Sequence, residues 1–203
     1  MLYPNAYKGV KTLLFIEILG VITGFFSLFY AIFLAIQDNP IEMSVNLLKI
    51  SLGLSILVGV TRFFALVTAA RDESAFTKAL IASVIEAGLT VLNYFTDSRL
   101  LGLLESVASI CVLLFIIKGI MNLASLIGVW SVIKRGETLR KLVIAVVCSP
   151  VLMLVAALVL RKLGIVLSLL AIVILAITEL VMYILYLKQA KEMLLYARFD
   201  AKV

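Results

Sequence analysis

Six long apolar runs divide this chain, at residues 12–36, 44–70, 75–95, 100–133, 142–160 and 164–187, with only short polar connections between them. A helix needs about 20 apolar residues to cross the ~30 Å hydrocarbon core of a bilayer. No run alternates as a barrel strand does, and backbone groups in hydrocarbon must bond within their own segment, so the runs predict helices. Apolar residues make up 64% of the 203, against about 45–50% in a soluble domain, and the mean hydropathy is +1.21. A chain of this length folded in water has too little interior to hide that excess. The expected fold is an all-α integral membrane protein: a six-transmembrane-helix bundle, one domain over residues 1–203, with the lipid bilayer as its main partner. The first run is long for the apolar region of a cleavable signal and reads as the first span.

The connections are 37–43 (QDNPIEM), 71–74 (RDES), 96–99 (TDSR), 134–141 (KRGETLRK) and a tight turn at 161–163 (RKL) before Gly164. The fourth run exceeds one crossing, so it is expected to tilt, project into water or bend at Gly119. The net charge of +6 sits in these connections, not in a basic patch with interleaved aromatics, which argues against nucleic acid. Twelve basic residues fall on one side: Lys8, Lys11, Arg71, Lys78, Lys134, Arg135, Arg140, Lys141, Lys188, Lys191, Arg198 and Lys202. Four fall on the other, Lys49, Arg99, Arg161 and Lys162, while Arg62 and Lys118 lie inside spans. The excess of Lys and Arg in cytoplasmic loops predicts both termini in the cytoplasm. The tail from Leu187 is expected to continue the sixth helix as an amphipathic cytoplasmic segment.

A weak internal repeat is visible. With an offset of 69, Ala6-Tyr7 falls on Ala75-Phe76 and Ile16-Glu17 on Ile85-Glu86. Setting Lys78 on Lys141 places Ser149 where Glu86 was, beside Pro150. The second and fourth spans each end in Arg followed two residues later by Glu, Arg71 with Glu73 and Arg135 with Glu137. Three related helical hairpins are the corresponding expectation.

The chemistry concentrates in charges within the spans. At about 1.5 Å rise per residue, Glu17, Arg62, Glu86 and Glu179 all lie roughly 9–14 Å from the basic residues at one end of their helices. An unpaired charge at such depth costs at least ~2.5–3.5 kcal/mol, so Arg62 should face the interior and find a carboxylate. Glu86, across the short RDES turn, is the expected partner. Lys118 is expected in the opposite half, near Glu105. Ser51, Ser55, Gly59 and Arg62 share a face, as do Glu17, Gly20 and Gly24, and Ala79, Ser83, Glu86 and Thr90. Such small-residue stripes predict close helix packing around the charges. Three carboxylates against one guanidinium leave at least one carboxyl neutral or balanced by a bound cation. Glu179 is the first candidate and Glu17 the second. Tyr183, one turn from Glu179, is placed to donate to it.

Other chemistries find no support. The chain has no histidine, no phosphate-cradling glycine loop, no aspartate inside a span and no loop cluster resembling a metal cage. Cys111 and Cys148 lie inside apolar runs and read as small buried hydrophobes, not a disulfide framework. Ser149-Pro150 is a candidate kink that frees a carbonyl. An enzyme is not indicated, and no cofactor is implied. Two functions remain. One is a transporter, or the membrane-embedded substrate-binding subunit of one, for a small cationic or proton-coupled solute, with Glu17, Arg62, Glu86, Glu179 and Tyr183 as binding or proton-relay residues. The other is a non-transporting scaffold or regulatory protein that docks a partner on its cytoplasmic loops and C-terminal tail.

Overall fold

The computed structural model describes residues 2–36, 42–96 and 98–197, with only the backbone described at 30–36, 42–48, 51–52 and 150–167. Among these residues the chain is all-helical, without a strand: α1 (Pro4–Ile36), α2 (Glu42–Ala69), α3 (Ser74–Thr96), α4 (Arg99–Ile127) and α5 (Trp130–Tyr196). Four helical segments, Pro4–Phe29, Ser74–Thr96, Arg99–Ile127 and Ser168–Tyr196, are long and apolar enough to cross a membrane. Gly53–Ala69 is apolar but shorter. The expected connection at 37–43 lies mainly outside the described residues.

α1 and α2 form one hairpin and α3 and α4 a second, and α5 closes the bundle against α4 and α1. The registers are regular. In the first hairpin Gly9 abuts Ala69 and Asp72 accepts from the Ala6 N–H at 2.7 Å. In the second, Asn122 donates to Glu73 at 2.9 Å, Gly119 lies against the Phe76 ring and Thr90 donates to Glu105 at 2.8 Å. Asp72 also accepts from Asn5 at 2.9 Å, so a carboxylate sits at the positive N-terminal end of α1, where it offsets the helix dipole and satisfies a first-turn donor.

α5 is helical throughout, but it is not one rod. Gln189 Nε2 lies 3.4 Å from Ser131 Oγ, 58 residues away in sequence, where a straight helix would separate them by about 87 Å. Gly136 likewise lies against the Tyr186 hydroxyl. The segment is therefore two antiparallel arms. The residues midway between these partners are 160 and 161, beside the turn expected at 161–163.

Three sequence expectations are corrected here. KRGETLRK is not a loop but part of the first arm of α5. Lys, Arg, Glu and Leu are good helix formers and Gly136 alone does not break them. The break comes earlier, at Gly128, whose φ of 83° is left-handed. There the Val129 N–H reaches back to the Ala124 carbonyl at 2.9 Å, a glycine-dependent helix ending. The fourth run thus divides at Gly128, while Gly119 is a contact point for Phe76. Arg135 and Glu137 consequently lie inside α5 and do not match Arg71 and Glu73 at a helix end.

The buried core sits at one end of the bundle. It takes Ala6, Val10, Leu13 and Ile16 from α1, Ala65, Leu66 and Ala69 from α2, Phe76 and Ala79 from α3, Ile116, Ile117, Ile120, Leu123 and Ala124 from α4, and Val132, Leu139, Tyr186, Leu187, Ala190 and Leu194 from α5. Under the offset of 69, Ala6, Val10 and Leu13 correspond to Ala75, Ala79 and Ala82, all buried. The described part of the expected amphipathic tail, to Ala197, is not free: Leu187, Ala190, Met193, Leu194 and Ala197 are buried, and residues 198–203 lie outside the described residues. Beyond this end, a side chain added at Gly20, Gly24 or Gly59 would meet nothing within 4 Å among the described residues, so among these residues the stripes make no close helix contact there. Outside, Phe15, Phe25, Phe64, Ile85, Leu92, Leu103, Val173 and Ile177 form an exposed apolar belt. Exposed Tyr94 and Phe95 lie at one end of it and Trp130 at the other.

Candidate functional site

Arg62 reaches Glu17. Its Nη2 donates to Glu17 Oε1 at 3.3 Å, with the side chains 26% and 15% exposed. The expected partner, Glu86, does not form this contact. α2 runs along α1 as its hairpin mate, and a four-residue turn to α3 does not bring the helix faces together further along. Ser55, Gly59 and Arg62 of α2 instead look across a cleft of about 800 Å³ at Ser83, Glu86 and Thr90 of α3. Sequence proximity misled because the RDES turn joins two helices that diverge.

Behind Arg62 lies a separate cavity of about 360 Å³. It collects Glu17 from α1, Arg62 from α2, Ser109 from α4, and Glu179 and Tyr183 from the second arm of α5. The rest of its wall is aliphatic: Ile110, Leu113 and Ile116 of α4, and Val143, Val146 and Val147 of the first arm. Four of the five sequence-predicted residues therefore meet in one chamber, and Arg62 lines both this chamber and the outer cleft that holds Glu86.

The chamber is incompletely satisfied. Glu179 makes no hydrogen bond or ion pair among the described residues, and Glu17 is close enough to repel it. Tyr183 is 4% exposed, and its hydroxyl is buried without a partner. The expected donation from Tyr183 to Glu179 is not made, although Glu17, Arg62 and Glu179 all act on the phenol electrostatically. Tyr186, one turn on, is satisfied differently, donating to the Ile117 carbonyl at 3.3 Å. Arg62 Nε is also buried and unpaired.

Lys118 is not part of this chemistry. It is exposed, one residue before Gly119, which packs on Phe76, so it lies level with the start of α3. Glu105 is 13 residues away, about 20 Å along the helix, and is engaged by Thr90. The expectation of an outer Lys118 counted from Lys134 along a helix that in fact ends at Ile127. Pro150 does not free a carbonyl either. It cannot donate to Val146 O, but Ser149 Oγ does so at 2.6 Å. Cys148 is exposed, not buried. Ser109 was not foreseen; a serine in an apolar run carries no signal of which way it faces.

No group of three or more His, Cys, Asp or Glu suited to a metal ion occurs among the described residues. Comparison of the chain with family models, with curated proteins and with solved structures finds no significant match.

Proposed function

We propose that this chain is a six-span membrane protein with both termini in the cytoplasm, which binds and moves a small cationic or proton-coupled solute, alone or as the membrane-embedded substrate-binding subunit of a transporter. The observation that carries this reading is the cavity: Glu17 of α1, Arg62 of α2, and Glu179 and Tyr183 of the second arm of α5 line one chamber. A purely structural network would be expected to close around its charges, because an unsatisfied polar group in a dry interior costs roughly 1–3 kcal/mol. Here Glu179 and Tyr183 are left with unused hydrogen-bonding capacity beside open volume. Glu17 is neutralised by Arg62, so the chamber carries the excess negative charge of Glu179 when that group is ionised. This favours a cation or a transferable proton.

The topology rests on two supports. The antiparallel arms of α5 supply a fifth and sixth helix, and Lys8, Lys11, Arg71, Lys134, Arg135, Lys188 and Lys191 gather at the end of the bundle that also holds the packed core. That end is the cytoplasmic one under the positive-inside rule, and the Arg62–Glu17 pair then lies within the bilayer. The scaffold alternative retains the exposed Lys134, Arg135, Arg140 and Lys141 as a docking surface, but the apolar face of the tail's described part, Leu187 to Ala197, is already occupied.

Two experiments test the reading. Single cysteines at Thr96 and Thr138, in a chain with Cys111 and Cys148 replaced by serine, are labelled with an impermeant maleimide. Residue 96 should react in intact cells and residue 138 only after permeabilisation; the reverse overturns the topology. Reconstituted vesicles are then screened for proton-coupled or potential-driven uptake of small cations. Glu179→Gln should remain folded and lose uptake, and uptake unchanged by this substitution would remove the site.

A further inference from the structure

Resting on the reading of the chamber as a cation site, we propose that its ligand is a protonated primary amine carrying an aliphatic body, and not a metal ion or a bare inorganic cation. The argument begins with acceptors. A primary ammonium has three N–H donors. Two groups in the chamber stand without any partner among the described residues: the Glu179 carboxylate and the buried Tyr183 oxygen. Glu17 already accepts from Arg62. This set can hold one ammonium and neutralise one charge.

It cannot replace the hydration shell of a hard metal ion. Calcium takes six to eight oxygen ligands and magnesium an octahedron of six, and no group of three or more His, Cys, Asp or Glu suited to a metal occurs among the described residues. Beyond Glu179 and Tyr183 the wall offers Glu17, already paired with Arg62, Ser109, and otherwise Ile110, Leu113, Ile116, Val143 and Val147. Those aliphatic groups would surround a bare ion with nothing to coordinate it, whereas they match a hydrocarbon substituent. The volume of about 360 Å³ lies at the small end of the range for small-molecule sites, which suits one short chain. Each methylene moved from water onto that wall should raise affinity about fourfold.

The test uses the full chain in nanodiscs, titrated calorimetrically with n-alkylammonium chlorides from ethyl to octyl, with sodium and potassium chloride at matched ionic strength and with the corresponding n-alkanols. The expected result is an affinity that rises about fourfold per added carbon, then levels off when the chamber is full. Glu179→Gln, shown to be folded by size-exclusion profile and circular dichroism, should weaken every amine at least tenfold. Tyr183→Phe should weaken them severalfold without changing the dependence on chain length. The alkanols should follow simple partitioning and be insensitive to Glu179→Gln. Amine binding that is equal in wild type and Glu179→Gln is bilayer partitioning and overturns the proposal. Binding of sodium, potassium or a proton that depends on Glu179, with no such amine binding, overturns this inference while leaving the cation-site reading in place. No Glu179-dependent binding of any cation overturns both.

Discussion

Replacing Arg62 with alanine tests which carboxylate the guanidinium serves, and the structure sets the size of the effect. The substitution removes the 3.3 Å contact to Glu17, a carboxyl 15% exposed beside Arg62, and leaves it without a counter-charge. Two outcomes are open to Glu17. It can stay ionised in a poorly solvated position, or it can take up a proton. For a carboxyl with an ordinary pKa of about 4.3, protonation at pH 7 costs about 3.7 kcal/mol, which caps the penalty of losing the counter-charge. The contact is single, not bidentate, and Arg62 is 26% exposed, so the loss should fall below the cap, at about 2–3 kcal/mol. Arg62→Ala with Glu17→Gln should recover most of it, since a neutral amide needs no counter-charge. Arg62→Ala with Glu86→Gln should recover little, because Glu86 stands across the cleft. The penalty should also shrink in acid: at pH 5 the same protonation costs only about 1 kcal/mol. The assay is reversible unfolding in mixed micelles titrated with SDS, followed by far-ultraviolet circular dichroism at pH 7 and pH 5. Coupling of Arg62 to Glu86 that equals or exceeds its coupling to Glu17 would refute the assignment. A loss from Arg62→Ala that is undiminished at pH 5 would show that an unpaired carboxylate is not its cause.

Three further outcomes follow from the packing. Gly9→Ala should destabilise by about 1–3 kcal/mol, because its Cβ would lie 2.6 Å from Ala69 Cβ and 2.7 Å from the Ala65 carbonyl; Gly20→Ala, with nothing within 4 Å among the described residues, should be neutral or stabilising by up to about 1 kcal/mol. The opposite signs are read by thermal unfolding of the two variants side by side, and equal effects would mean that the α1–α2 register is wrong. Ser149→Ala should cost about 1–3 kcal/mol by orphaning the Val146 carbonyl, and adding Pro150→Ala should restore stability by returning a backbone donor; an additive double variant counts against this account. Asp72→Ala should cost about 1–2 kcal/mol through the lost contacts to Asn5 and the Ala6 N–H, and hydrogen exchange should show the first turn of α1 opening; protection unchanged there would contradict the capping role.

The sequence alone determined that the chain is helical and apolar on its outside, because the length of an apolar run and the need to satisfy backbone groups in hydrocarbon are local properties. It also placed Glu17, Arg62 and Glu179 at a common depth, since rise per residue converts spacing into height. What it could not supply was the direction in which each helix faces a neighbour. Arg62 pairs with Glu17 and not Glu86 because α2 lies along α1 and diverges from α3, a choice made by packing at the far end of the hairpins. The glycine stripes pointed to tight contacts, yet the tightest glycine contacts among the described residues are at Gly9, Gly119 and Gly136, where the core gathers at one end of the bundle, while Gly20, Gly24 and Gly59 have no described neighbour within 4 Å. The break at Gly128 was legible only as one glycine among several in an apolar run; its left-handed φ belongs to the fold. The chamber is likewise a tertiary fact. Its walls come from four helices far apart in the sequence, and only their convergence leaves Glu179 and Tyr183 facing open volume with no partner among the described residues.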